Sequence, residues 1–221
     1  GLTGRNLIIN GAMQVAQRGT SETGVTSSQY ANGPDRFRLG MYDCGTWTVS
    51  QSTTSPNGFS NSYKMDCTTA KSTLASDSNI QFMQRFEGQN LQSLAKGTSD
   101  AKSVTVSFYV RTNKTGTYTV ELQDVDTSGN RNVSLAYTIS SSNTWEHKTV
   151  TINGDTTGVI DSDNGLGLIV RWILATGTGF QGGTAPDGSW ASYSATDTYV
   201  GHAVNVASTV NNSFAITGVQ L

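Results

Sequence analysis

The sequence predicts an all-β protein, an antiparallel β-sandwich, and three observations carry that prediction. Short runs of period-2 alternation recur along the 221 residues, separated by clusters of Gly, Asn, Asp and Ser. Charged residues make up 14% and glycines number 24, against averages of about 25% charged and about 7% Gly, so the polar surface rests on Ser, Thr, Asn and turns more than on ion pairs. Ala, Leu, Glu and Lys never cluster long enough to sustain a 3.6-residue pattern. A chain of this length buries roughly 70% of its unfolded surface, which makes a disulfide or metal staple unnecessary.

In chain order, the first expected strands are Leu7–Ile9, Phe37–Leu39, Thr46–Gln51, Ser62–Asp66 and Ile80–Phe86, with one helical turn over Glu87–Leu94. The clearest alternation follows, with Val104, Val106, Phe108 and Val110 facing one way. A turn at Asn113-Lys114-Thr115-Gly116 leads to Tyr118, Val120 and Leu122, and a turn through Asp126–Asn130 leads to Val133, Leu135, Tyr137 and Ile139. These three runs are expected to form one meander with an apolar face and a polar face. After His147–Ile152 comes a different run, in which Leu166, Leu168, Val170, Trp172 and Leu174 share one face and Ile169 and Ile173 the other. Such a strand is expected to be covered on both sides. Phe214–Leu221 closes the chain. About ten strands with no break in composition predict one domain, 1–221, of two sheets packed in jelly-roll style.

The formal net charge is −2 and no basic run is present, so no nucleic-acid partner is expected. No apolar stretch of 18 residues offers a membrane-spanning helix, and no membrane partner is expected. Cys44 and Cys67 flank the turn signal Ser55-Pro56-Asn57-Gly58, so a hairpin there sets them nearly opposite. They lack metal-ligand spacing and are expected as two buried free thiols.

The opening Asn6-Leu7-Ile8-Ile9-Asn10-Gly11, followed by Gln17-Arg18-Gly19-Thr20 and then Asp35-Arg36-Phe37, resembles that of phage tail-fibre and receptor-binding proteins. The ending Phe214-Ala215-Ile216-Thr217-Gly218-Val219-Gln220-Leu221 is similar to that family's closing strand, and Gln84-Arg85-Phe86-Glu87-Gly88-Gln89-Asn90-Leu91 and Ser189-Trp190-Ala191-Ser192 also resemble it. The resemblance implies a jelly roll like those of carbohydrate-binding modules, with first and last strands paired. It implies a virion location, on a tail fibre or other surface appendage, beside other virion proteins. It also implies a trimeric homo-oligomer and a host-surface glycan or receptor as partner. The start inside the opening motif and the end just after the closing one are expected of a piece of a longer fibre. Ala16 stands where the family carries Trp before Gln-Arg-Gly. Many such jelly rolls hold a structural calcium, but the matching places, near Gln14 and near Thr217-Gly218, supply no carboxylate, and no cofactor is expected.

Other motifs point to turns. Asp124-x-Asp126-x-Ser128-Gly129 begins like a calcium loop, but its twelfth position is Leu135 where a bidentate Glu is needed. Asp161-Ser162-Asp163-Asn164-Gly165 reads as a turn as well. Gly177-x-Gly179-x-x-Gly182 matches a dinucleotide fingerprint in letters only, because Gly183-Thr184-Ala185-Pro186-Asp187-Gly188 cannot promptly start a helix. His147 and His202 are the only histidines, and neither accompanies a nucleophile motif, so no catalytic residue and no metal site is expected.

Sugars present apolar C–H faces and many hydroxyls, which suit aromatic platforms ringed by planar polar groups. The polar face of the meander offers Tyr109, Arg111, Glu121 and Gln123, and the irregular stretch 175–199 offers Trp190, Tyr193 and Tyr199. Those seven residues are the expected ligand-binding set. Three functional readings remain: a non-catalytic glycan-binding domain, a structural decoration or adaptor domain, and a glycan-degrading depolymerase with a carboxylate pair.

Overall fold

A computed structural model describes residues 6–126, 130–183 and 188–221, with twelve strands among them. The chain opens with β1 (Ser21–Val25), β2 (Phe37–Tyr42), β3 (Thr46–Ser52), β4 (Ser62–Thr69) and β5 (Asn79–Glu87). Two single 3-10 turns, Gly88–Asn90 and Gln92–Leu94, stand where the sequence predicts one helical turn. Then come β6 (Val104–Thr112), β7 (Gly116–Asp124), β8 (Arg131–Ile139) and β9 (Glu146–Ile152). The last are β10 (Leu166–Thr176), the short β11 (Ala191–Ser192) and β12 (Ser213–Gln220).

Two six-stranded sheets result, one in the order β1-β3-β4-β12-β6-β9 and the other β11-β8-β7-β10-β5-β2. Every pairing between these strands is antiparallel. The architecture is a jelly-roll sandwich, as the alternation predicts. Its core is aromatic at the centre. Phe82 of β5 lies 4.8 Å from Tyr63 of β4, and Trp172 of β10 lies 5.6 Å from Phe108 of β6, ring centre to ring centre, so each contact ties one sheet to the other.

One expectation is corrected. β6 does not form a meander with β7 and β8: it pairs with β12 and β9, while β7 pairs with β8 and β10. Alternation assigns a strand an inward face but not a neighbour, and the apolar faces of β6 and β7 meet across the core instead of side by side. Asn113 holds the crossing. Its amide donates to Asn212 Oδ1 (3.0 Å) and its Oδ1 accepts from the Ser213 N–H (2.9 Å), which fixes the end of β6 to the start of β12.

The ends of the chain meet. The Leu7 N–H donates to the Leu221 carbonyl (2.9 Å) and the Val219 N–H to the Gly11 carbonyl (3.0 Å). A Cβ on Gly11 would lie 2.1 Å from that Val219 oxygen, so only glycine permits the approach. The side chain of Asn6 locks the seam, its Oδ1 accepting from the Ile8 N–H (3.0 Å) and the Leu221 N–H (3.1 Å). Cys44 and Cys67 are buried and unbonded, and burial pushes the Cys44 thiol up to about 12.

Candidate ligand-binding site

The seven residues singled out from the sequence fall in three places. Tyr109 and Arg111 lie on the outer face of the sheet that contains β6. There the Tyr109 ring sits 4.8 Å from His147 and 5.5 Å from Phe59, and Arg111 Nε donates to the Asn143 carbonyl (2.9 Å).

Glu121 and Gln123 lie on the outer face of the other sheet, but they are not a solvated surface. Glu121 is 0% exposed and Gln123 is buried. In register, Glu121 of β7 stands opposite Arg171 of β10, whose guanidinium binds both the Glu121 carboxylate and the Gln123 amide oxygen. Burial works against the Arg171 charge, yet the carboxylate beside it outweighs that and holds Arg171 above its ordinary pKa. What seals this face is the segment after β10. Thr119 Oγ1 donates to the Val200 carbonyl (3.1 Å) and Ser134 Oγ to the Thr198 carbonyl (2.7 Å), which straps the chain across β7 and β8. Tyr199 is 4% exposed beneath that strap, and burial raises its hydroxyl pKa. Ile169 and Ile173 are buried too, so β10 is covered on both sides as its sequence predicts.

Trp190 is half-buried and structurally committed. Its Nε1 donates to the Asn153 carbonyl (2.8 Å), and the Lys96 ammonium lies 4.5 Å from its ring centre. That ammonium is buried between the carboxylates of Asp124 and Asp155, and Arg131 Nε completes the knot at 2.8 Å from Asp155. Tyr193, 39% exposed, is the exposed aromatic among the described residues of the long segment. The expected set is therefore not gathered in one place: Glu121, Gln123 and Tyr199 are interior, Trp190 braces a charge cluster, and Tyr109 and Arg111 lie on the other sheet.

The residues that do come together are those of the opening motifs. Gln84 reaches from β5 and grips the Ile9 backbone at both ends, accepting from its N–H (2.8 Å) and donating to its carbonyl (2.9 Å). The Asn10 amide donates to the carbonyls of Val15 (2.9 Å) and Asp35 (3.0 Å). Asp35 accepts from the Gln17 N–H (3.0 Å) and lies 3.4 Å from Arg18 Nε. These bonds bring Gln17-Arg18, Asp35-Arg36 and Arg85-Phe86-Glu87 around one open cavity of about 520 Å³, with Tyr30 on its wall. Arg36 holds a left-handed backbone (φ 76°), a conformation that costs a non-glycine residue about 1 kcal/mol or more.

The cavity lining carries three arginines, Arg18, Arg36 and Arg85, against two carboxylates, Asp35 and Glu87. Arg36 and Arg85 are exposed and make no side-chain hydrogen bond or ion pair with the described residues. Arg38 stands on the neighbouring strand; burial first, and then the charge of Arg85, lowers its pKa. Arg18, Arg36 and Arg85 each fall within a motif of the sequence resemblance, as a signature and not as a site, whereas Tyr30 and Arg38 fall in none. The signal available there was three arginines, each within a conspicuous polar motif.

Among the described residues, no group of three or more His, Cys, Asp or Glu is placed to hold a metal ion. Asp124 is taken by Lys96, Asp126 Oδ2 accepts from the Asp161 N–H (2.7 Å), and residues 127–129 of that turn lie outside the described residues. Asp163 accepts from the Gly165 N–H (2.9 Å), a turn bond. Thr178–Phe180 forms a 3-10 turn and not the start of a long helix. His202 is buried with Nε2 2.6 Å from the Val204 carbonyl, and burial lowers its pKa to about 4.

No family model matches the sequence, and no curated protein matches it. Solved structures of similar fold include the enzymatically active domain of tailspike protein 4 from bacteriophage CBA120, at 13% identity and a TM-score of 0.45 over 97% of this chain and 21% of that one. The chain thus spans about a fifth of that tailspike chain. The family 11 carbohydrate-binding module from Clostridium thermocellum, solved with a beta-1,3-1,4-mixed-linked tetrasaccharide, matches at 10% identity and TM-score 0.44, over 92% and 95% of the two chains. The CBM22-2 xylan-binding domain from Paenibacillus barcinonensis Xyn10C matches at 14% and 0.45, over 84% and 90%.

Proposed function

We propose that this chain is a non-catalytic glycan-binding domain of a phage tail fibre or other virion appendage. In this reading it engages a host-surface sugar in the cavity between Arg18, Tyr30, Arg36 and Arg85. It assembles with other virion proteins as a homotrimer, as the resemblance of its opening and closing motifs implies. The observation that carries the reading is convergence: three motifs, distant in sequence, line one open cavity of about 520 Å³. That volume is within the usual range of small-ligand sites, about 300–1,000 Å³.

Support for a non-catalytic role comes from the commitments of its titratable groups. His202 is interior and held by a backbone carbonyl, and Glu121 is tied to Arg171. The cavity does carry two carboxylates, Asp35 and Glu87, the minimum for a glycosidase. Asp35 serves the motif wall through Gln17 and Arg18, and Glu87 accepts from Gln89 (2.8 Å).

Glycan-array binding by the purified chain tests the reading. Saturable binding is expected, lost in Tyr30→Ala and retained in Tyr193→Ala. A folded chain that binds no glycan overturns it. Release of new reducing ends from a bound glycan, abolished in Glu87→Gln, overturns the non-catalytic part alone.

A further inference from the structure

The cavity's charge narrows its ligand. Resting on the glycan-binding reading above, we infer that the sugar held there is acidic, and that Arg36 and Arg85 take its carboxylate.

Three of the chain's eight arginines line this cavity, in a protein whose net charge is −2, so the positive character is local and not a product of overall basicity. Of the two carboxylates present, Asp35 already serves Arg18 and the Gln17 N–H, and Glu87 serves Gln89. Arg36 and Arg85 are left with ten N–H donors between them and no acceptor among the described residues. No lysine lines the cavity. A guanidinium presents two parallel donors in a plane, the geometry that matches a carboxylate with both oxygens, whereas an ammonium offers a point charge. Tyr30, 44% exposed, supplies an apolar face for the sugar ring beside the charge. The left-handed backbone at Arg36 fits the same account: a glycine would relieve it, and the arginine is there despite the strain.

Calorimetric titration of the 221-residue chain tests this with four probes: a galacturonate oligomer, a neutral galactose oligomer of equal length, 3′-sialyllactose and inorganic polyphosphate. At least one of the two acidic saccharides is expected to bind about tenfold or more tightly than the neutral oligomer, with affinity falling as salt rises. Arg85→Gln and Arg36→Gly are each expected to lose about tenfold for the acidic sugar. The glycine variant separates binding from folding, because it removes the guanidinium while relieving the backbone and so retains or gains thermal stability. Equal affinity for acidic and neutral oligomers, unchanged in both variants, overturns the inference and leaves the glycan-binding reading standing. Polyphosphate binding as tight as either acidic sugar overturns it in favour of an anion site without sugar specificity. Absence of binding to all saccharides overturns both.

Discussion

The outer face of the sheet β11-β8-β7-β10-β5-β2 is two different surfaces. Over β7 and β10 it is sealed by the strap that carries Thr198, Tyr199 and Val200, and its one cation, Arg171, is matched to Glu121. At the Arg85 end of β5 the face is open: Arg85 is exposed on the cavity wall and has no partner among the described residues. Alternation places Glu121 and Arg85 equally on a polar outer face. What differs is the cover: burial demands that each charge be answered within the protein, while an open edge leaves its charges for something else.

The sharpest way to break this contrast is Glu121→Ala. It strands the buried Arg171 guanidinium, and a loss of about 3–5 kcal/mol is expected in urea unfolding. The pair Glu121→Leu with Arg171→Met should recover most of that loss, because the sealed region needs its charges matched and not present.

Acid should separate the two regions next. His202 adjoins the strap, where Gln181 Nε2 donates to its carbonyl (2.6 Å), and its pKa is lowered by burial to about 4. Unfolded, it titrates near 6.5. Between those values the unfolded chain binds the extra proton, so stability falls as pH drops from about 6.5 to about 4, by on the order of 3 kcal/mol. A His202→Gln variant should lose that slope in thermal unfolding followed across the window. Arg85→Gln leaves the surroundings of His202 unchanged, so it should keep the full slope.

The smallest effect belongs to the open edge. Arg85→Ala is expected to change unfolding stability by less than about 0.5 kcal/mol, since it removes an exposed side chain with no partner. A larger loss would mean that Arg85 is structural and that the two regions do not differ in this way.

Much of the fold is legible in the alternation. Val104–Val110 and Leu166–Leu174 each announce their inward faces, and Ile169 and Ile173 announce a cover. The partner of each strand is not legible there. The Asn113 bonds that send β6 to β12 depend on residues about a hundred positions away. The candidate site divides in the same way. Glu121 and Gln123 are on a polar face, as their positions predict, but their burial is decided by a segment more than sixty residues later. Arg18, Arg36 and Arg85 stand out as motif residues in the sequence. Only the grip of Gln84 on Ile9 and of Asn10 on Val15 and Asp35 turns three motifs into one wall.

The segments around Leu7 and Leu221 meet in opposite chain directions at the terminal seam, joined by the Leu7–Leu221 and Val219–Gly11 backbone bonds. Tension applied between these two residues therefore loads that seam in peel: the Leu7–Leu221 bond meets the force first and the Val219–Gly11 bond only after it has gone. Asn6 sits where such a tear would start, bonding across the seam to the Leu221 N–H and the Val219 carbonyl. The asparagine thus acts as a rivet at the lip of a zipper, its side chain adding two bonds at the point where a tear between the two ends would begin.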